Sequence, residues 1–306
     1  VSCIMIFLCH YVQILGNPII AQTAQFFNVG VFVFFMISGY LLGQKQINKG
    51  ELASWYKKRM TRIFVPLYIV VVVVFVALYF EGIQVSPKAY VMYALNLQAF
   101  GERVPGIGQQ WFLTVIMICY LITPILQEIQ KCNKGIKEVL VAIFILIQLV
   151  AGIMGIQLIA LYGFYVGTYA LGYYILPNII RSINKKSTLR WSVAMLIAVG
   201  IRLVSKVVIG DSCIYDYIIV LYTQVVLGIW IIIAIKYIYQ MLNKHLNDGL
   251  IKTMDGYTME VYMVHVMFMQ PPFYMFGRIN VVIDSCMIVI CTILAAVGLK
   301  RIEKMV

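Results

Sequence analysis

Residues 63–80 read Ile63-Phe-Val-Pro-Leu-Tyr-Ile-Val-Val-Val-Val-Val-Phe-Val-Ala-Leu-Tyr-Phe80, a run without a single charge. Its length approaches the roughly 20 helical residues that cross a hydrocarbon core about 30 Å thick. Lys57, Lys58, Arg59 and Arg62 stand before it and Glu81 and Gly82 after it, so its polar limits are sharp. Outward from this stretch, comparable apolar runs lie near 1–16, 25–43, 110–127, 138–155, 157–177, 191–209, 214–236, 254–276 and 281–299. Together they predict a bundle of about ten transmembrane helices.

The composition points the same way. Of 306 residues, 62% are hydrophobic and 12% are charged, against about 25% charged in an ordinary soluble domain. A water-soluble fold needs a more polar surface than this chain supplies, whereas lipid solvates apolar side chains directly. Disorder is excluded by the same apolar content. The net charge of +12 does not signal nucleic acid, because the basic residues sit in short clusters between apolar runs. No nucleic-acid-binding motif accompanies them. The seven cysteines (Cys3, Cys9, Cys119, Cys132, Cys213, Cys286 and Cys291) form no CxxC pair, so neither a disulfide framework nor a metal site is expected.

Sidedness follows from where the cations fall. One set of alternate loops carries Lys45, Lys49, Lys57, Lys58, Arg59 and Arg62; Lys131, Lys134 and Lys137; and Arg181, Lys185, Lys186 and Arg190. The same set continues with Lys236, Lys244 and Lys252, and with Lys300, Arg301 and Lys304 in the tail. Nineteen of the 24 Lys and Arg residues are thus on one side, and only Lys88, Arg103, Lys206 and Arg278 on the other. The basic side is expected to be cytoplasmic, with both termini on it. The expected fold is an all-α integral membrane protein, a single transmembrane domain over 1–306 in a bacterial cytoplasmic membrane.

Two segments stand apart. As a helix, residues 1–16 would extend only about 24 Å, and no charge precedes Val1, so the first helix is expected to be truncated. Residues 81–109 form the long outer loop, in which 86–100 is expected to make a short interfacial helix before Gly101, Pro105, Gly106 and Gly108.

Ionisable groups inside membrane spans are costly, which makes each one a functional candidate. His10 shares a helix face with Gln13 and Asn17, three and seven positions on. A packing hydrogen bond and a catalytic role are both open to it. Thr258, Tyr262 and His265 make a second stripe, facing inward. Glu260, five residues before His265, points about 140° away on a helix, which suits an ion pair with a basic residue at the inner rim. Arg59 and Arg62, three apart, project from one face, and their forks suit phosphate oxygens as well as membrane anchoring. Arg202 reads as a residue snorkelling to the outer face beside Lys206.

Five segments, in order, resemble the membrane-bound acyltransferase-3 family, which includes bacterial polysaccharide O-acetyltransferases. His10 resembles its first-helix histidine. Asn28-Val-Gly-Val-Phe-Val-Phe-Phe-Met-Ile-Ser-Gly-Tyr-Leu-Leu42 resembles its second helix, and Lys58-Arg-Met-Thr-Arg-Ile-Phe-Val-Pro-Leu-Tyr68 its Arg-x-x-Arg segment. Gln110-Trp-Phe-Leu113, with Tyr120 and Pro124, resembles the fourth helix. Thr258-Met-Glu-Val-Tyr-Met-Val-His265 resembles the Tyr-x-x-His of the penultimate helix. The family commonly has an Arg eleven positions before the first-helix His, a place that falls before Val1 here. Many O-acetyltransferases also have a Glu where this chain has Ile116, so the chain is similar to the Trp-Phe-Leu branch.

The resemblance implies transfer of an acyl group, usually acetyl from acetyl-CoA, to a hydroxyl of a cell-envelope glycan. It implies no bound cofactor, with acyl-CoA as co-substrate. His10 and His265 would be catalytic, and Ser38, Arg59, Arg62, Trp111, Tyr262 and Glu260 would contact substrate. A histidine titrating near neutrality can take the acceptor's hydroxyl proton. Two other classes remain open: a transporter or flippase without covalent chemistry, for which membrane His and Arg groups serve equally, and a sensory or structural module that kept the fold.

Overall fold

The computed structural model of the protein describes residues 1–16, 18–132, 134–242 and 248–305. Among these residues the regular structure is helical, with no strand. The α-helices are α1 (Ser2–Gln13), α2 (Pro18–Phe27), α3 (Val29–Gly43), α4 (Leu52–Phe80), α5 (Pro87–Ala94), α6 (Trp111–Lys131) and α7 (Lys134–Ile153). They continue with α8 (Phe164–Tyr174), α9 (Leu176–Arg181), α10 (Lys185–Ile209), α11 (Val220–Leu242), α12 (Asp248–Asp255), α13 (Thr258–Val264) and α14 (Val281–Glu303). Lipid offers no hydrogen-bond partner, so a spanning segment must satisfy its backbone internally, and the apolar runs become helices.

Among the described residues six helical stretches are long and apolar enough to cross a membrane: Thr23–Gly43, Leu52–Phe80, Gly108–Lys131, Lys185–Ile209, Tyr215–Leu242 and Val281–Glu303. They coincide with six of the expected runs. The other four take different forms. The first is the twelve-residue α1, and the run near 138–155 is α7. The run near 157–177 is a π-helical turn over Leu158–Gly163 that passes into α8. The expected helix over 254–276 is broken. Its helical part stops at Val264, tightens into a 3-10 turn over His265–Phe268 and gives way to non-helical chain containing Pro271 and Pro272. Pro271 and Pro272 cannot donate to a helical ladder, so the α-helix does not resume beyond the 3-10 turn. The 81–109 loop holds α5, capped by the Ser86 hydroxyl accepting from the Ala89 N–H, and a 3-10 turn over Gln98–Phe100.

The centre of the bundle is the crossing of α3 and α8. A methyl on Gly172 would lie 2.0 Å from the Met36 carbonyl oxygen, so the two backbones are in contact. Gly39 makes the reciprocal contact from α3. In lipid, where apolar surface has no incentive to leave its solvent, such small-residue crossings let dispersion hold helices together. Around it the aromatics of α3 interlock with the next helices. Phe35 meets Phe112 at 4.8 Å and Tyr165 at 5.3 Å, and Phe32 meets Tyr165 at 5.1 Å between ring centroids.

Two ends are distinct. Residues 43–46, 127–131 and 173–181 converge at the basic end. Residues 10–13, 103–111 and 266–271 converge at the opposite end. Asn17 and Lys244 lie outside the described residues, as do the side chains of Lys49, Lys134, Lys137 and Lys252. Arg202 corrects the snorkelling expectation. It is buried, with its guanidinium 4.4 Å from the Phe26 ring centre and donating to Gln25 Oε1 at 3.4 Å. Lys206 does face out, paired with Asp211.

Candidate active site

The two sequence-selected histidines come together. The rings of His10, on the last turn of α1, and His265, just past α13, are 5.3 Å apart. The contact between α1 and the 258–268 segment makes this possible, with the Cys3 thiol 3.6 Å from the Thr258 carbonyl at the other end of the same interface. Phe7, one turn before His10, also meets the His265 ring, at 6.0 Å.

His265 is held by its own backbone. Its Nδ1 lies 2.8 Å from the Tyr262 carbonyl oxygen and 3.2 Å from that of Val261. A carbonyl only accepts, so Nδ1 carries the proton and Nε2 keeps a lone pair. That Nε2 is buried and has no hydrogen-bond partner among the described residues. A buried acceptor without a partner is costly, and the His10 imidazole lies beside this ring. His10 is half-buried and reaches a cavity of about 400 Å³ whose lining also includes Gln13, Arg103, Gln109, Trp111 and Gln270.

Trp111 lines the cavity, whereas Tyr262 is buried and braces it through Gln109. Trp111 stacks on Tyr165 at 5.1 Å and 28°, so its face is fixed where α6 begins. The Tyr262 hydroxyl donates to the Gln109 carbonyl at 2.5 Å, and the Gln109 amide donates to the Met263 carbonyl at 3.1 Å. This reciprocal pair joins the turn before α6 to α13, the helix capped by His265. Gln109 and Arg103 were not legible as site residues because loop glutamines and loop cations carry no periodic signal. The one available hint was Gln109-Gln110 immediately before Trp111, an amide pair at a membrane boundary.

The remaining candidates lie elsewhere. Glu260 is buried, 2% exposed, and its carboxylate pairs with Lys300 of α14. That is the rim ion pair read from its angular offset, and it is not part of the histidine cavity. Arg59 is half-buried, its guanidinium 5.7 Å from the ring centres of both Trp55 and Tyr120. Arg62 is exposed on the same helix. Ser38 is half-buried on α3 beside Gly39 and lines neither cavity.

Comparison with known proteins agrees with the layout. A family profile described as an acyltransferase domain matches residues 1–301. Nodulation protein 10 of Rhizobium leguminosarum bv. viciae is 30% identical over 136 residues, 37% of this chain and 37% of that protein's length. No solved structure matches. The His10 helix, the aromatic run of α3, the Arg-x-x-Arg of α4, the Trp-Phe-Leu start of α6 and the Tyr-x-x-His of 262–265 all lie within the matched region, and the chain belongs to the membrane acyltransferase-3 family.

Proposed function

We propose that this protein transfers an acetyl group from cytoplasmic acetyl-CoA to a hydroxyl of a cell-envelope glycan, across the cytoplasmic membrane of a bacterium. The single observation that carries this reading is the His10–His265 pair, rings 5.3 Å apart, in which His10 lines a cavity on the end away from the basic loops and His265 is buried beside it. The acceptor glycan enters that cavity, where the face of Trp111 and the amides of Gln13, Gln109 and Gln270 suit a sugar's apolar ring faces and hydroxyls. His10 takes the proton of the acceptor hydroxyl as its oxygen attacks the thioester carbonyl. The C–S bond then breaks, the new C–O ester bond remains on the glycan, and the His10 proton passes to the departing thiolate. His265, with Nδ1 fixed to the Tyr262 carbonyl, orients and polarises His10.

Arg59 and Arg62 serve the donor. They lie on the first turns of α4, near the basic end, and a guanidinium fork matches phosphate oxygens in a way an ammonium does not. Arg59 is already oriented by the two aromatic faces beside it.

The test follows acetyl transfer from labelled acetyl-CoA to envelope glycan in membranes. His10→Ala is expected to abolish transfer while the amount of protein in the membrane stays at the wild-type level. Wild-type yield from that variant would remove His10 from the mechanism. His265→Ala is expected to lower transfer as well, through positioning.

A further inference from the structure

The basic end contains a second cavity, of about 490 Å³, that the histidine site does not use. Its base is Tyr173, Tyr174 and Pro177 where α8 turns into α9, and its rim carries Lys45, Lys131 and Arg181. Among the described residues no carboxylate lines it. Lys131 is engaged by Glu128 at 2.8 Å, an exposed pair of small energetic consequence. Among the described residues neither Lys45 nor Arg181 has a salt-bridge partner. Both are exposed, so two unneutralised cations face one polar hollow.

The hollow is built by hydrogen bonds between its walls. The Gln127 side chain accepts from the Ile47 N–H at 2.8 Å and donates to the Ile47 carbonyl at 3.1 Å, tying the 43–47 segment to α6. The Tyr174 hydroxyl donates to the Leu126 carbonyl at 2.5 Å, tying α8 to α6. The site is therefore preorganised, which lowers the entropy lost on binding. A guanidinium, an ammonium, several amides and tyrosine rings are the groups that bind a phosphorylated nucleoside.

We infer that this cavity binds the adenosine 3′-phosphate end of acyl-CoA, with Arg181 and Lys45 on the phosphate. The inference rests on acyl-CoA being the donor, as proposed above. Tyr120, which packs on Arg59, and Gln127 are seven residues apart on α6, so they share a face and differ in depth by about 10 Å. The cations are thus ordered from rim to interior, Lys45 and Arg181 first and Arg59 next. A donor anchored by its nucleotide at the rim directs its remaining length past Arg59 toward the bundle interior.

The experiment compares CoA with dephospho-CoA, which lacks the 3′-phosphate, by calorimetric titration of purified protein in detergent. Wild-type protein is expected to bind CoA at least tenfold more tightly than dephospho-CoA. Lys45→Gln/Arg181→Gln is expected to lose that preference and bind both alike, with an unchanged melting temperature because both side chains are exposed. Retention of the preference in the double variant overturns the assignment while leaving acyl-CoA as the donor. Arg181→Glu alone, which reverses the charge, should weaken CoA further, and unaltered CoA affinity there overturns it equally. Failure of the wild-type protein to bind CoA or acetyl-CoA at all would remove the donor reading and this site together.

Discussion

A methyl group on Gly39 of α3 would stand 2.0 Å from the carbonyl oxygen of Tyr169 on α8, so the two helix backbones touch with no space for a side chain. The backbone cannot yield as a flexible side-chain tip can. Gly39→Ala is therefore expected to destabilise the protein by about 1–3 kcal/mol, the usual cost of overpacking. Gly298, which has no heavy atom within 4 Å of its would-be methyl, is the control, and Gly298→Ala is expected to be neutral. Thermal unfolding of both variants in one detergent checks the pair. Equal melting of Gly39→Ala and wild type would show that α3 and α8 separate freely.

Glu260 and Lys300 form the second relationship with a direct consequence. Glu260 is 2% exposed and the Lys300 side chain 23%, so removing the lysine strands a carboxylate in the interior. Lys300→Met is expected to cost about 3–5 kcal/mol, the loss typical when one partner of a buried pair is removed. Glu260→Gln, which leaves no buried charge, should cost less, and Lys300→Arg should hold most of the stability. Unfolding curves that rank the three variants otherwise would refute the pairing.

At Arg59 and Arg62, anchoring and phosphate recognition make different demands. Anchoring needs only positive charge, whereas recognition needs the planar fork. The double change Arg59→Lys/Arg62→Lys keeps the charge and is expected to weaken acetyl-CoA binding by about tenfold or more, roughly 1.4 kcal/mol. Unchanged donor affinity in a correctly inserted variant would assign both arginines to anchoring alone.

The sidedness of the bundle is open to chemical labelling. In a cysteine-free background, made necessary by the exposed Cys213 and Cys286, single cysteines in 45–58 and 181–190 should be shielded from an impermeant thiol reagent in intact cells. Cysteines in 82–106 should react. Labelling of both sets would contradict the assignment of the basic end to the cytoplasm.

Much of this architecture was legible along the chain, because the membrane imposes one local rule. A charge-free run near spanning length must be helical to satisfy its backbone, so residues such as 63–80 declare their structure without reference to neighbours. The family motifs were legible for the same reason, as short strings on single helices. Glu260 was legible through its angular offset from His265. Contacts between distant segments were not. Only the tertiary structure brought His10 against His265, because that adjacency depends on α1 packing beside α13 and on the Gln109 turn that fixes α13. Only it turned Arg202 inward, since helix position alone does not say which face a neighbour covers. It also ended the penultimate helix at Val264 and replaced the rest of that run with a 3-10 turn and irregular chain. The basic cavity is of the same kind. Lys45, Lys131 and Arg181 are unremarkable loop cations in sequence, and they come to line one cavity because Gln127 and Tyr174 tie two separate chain segments to the end of α6. Local chemistry determined the helices and their class, and long-range packing, which no single segment encodes, decided what they enclose.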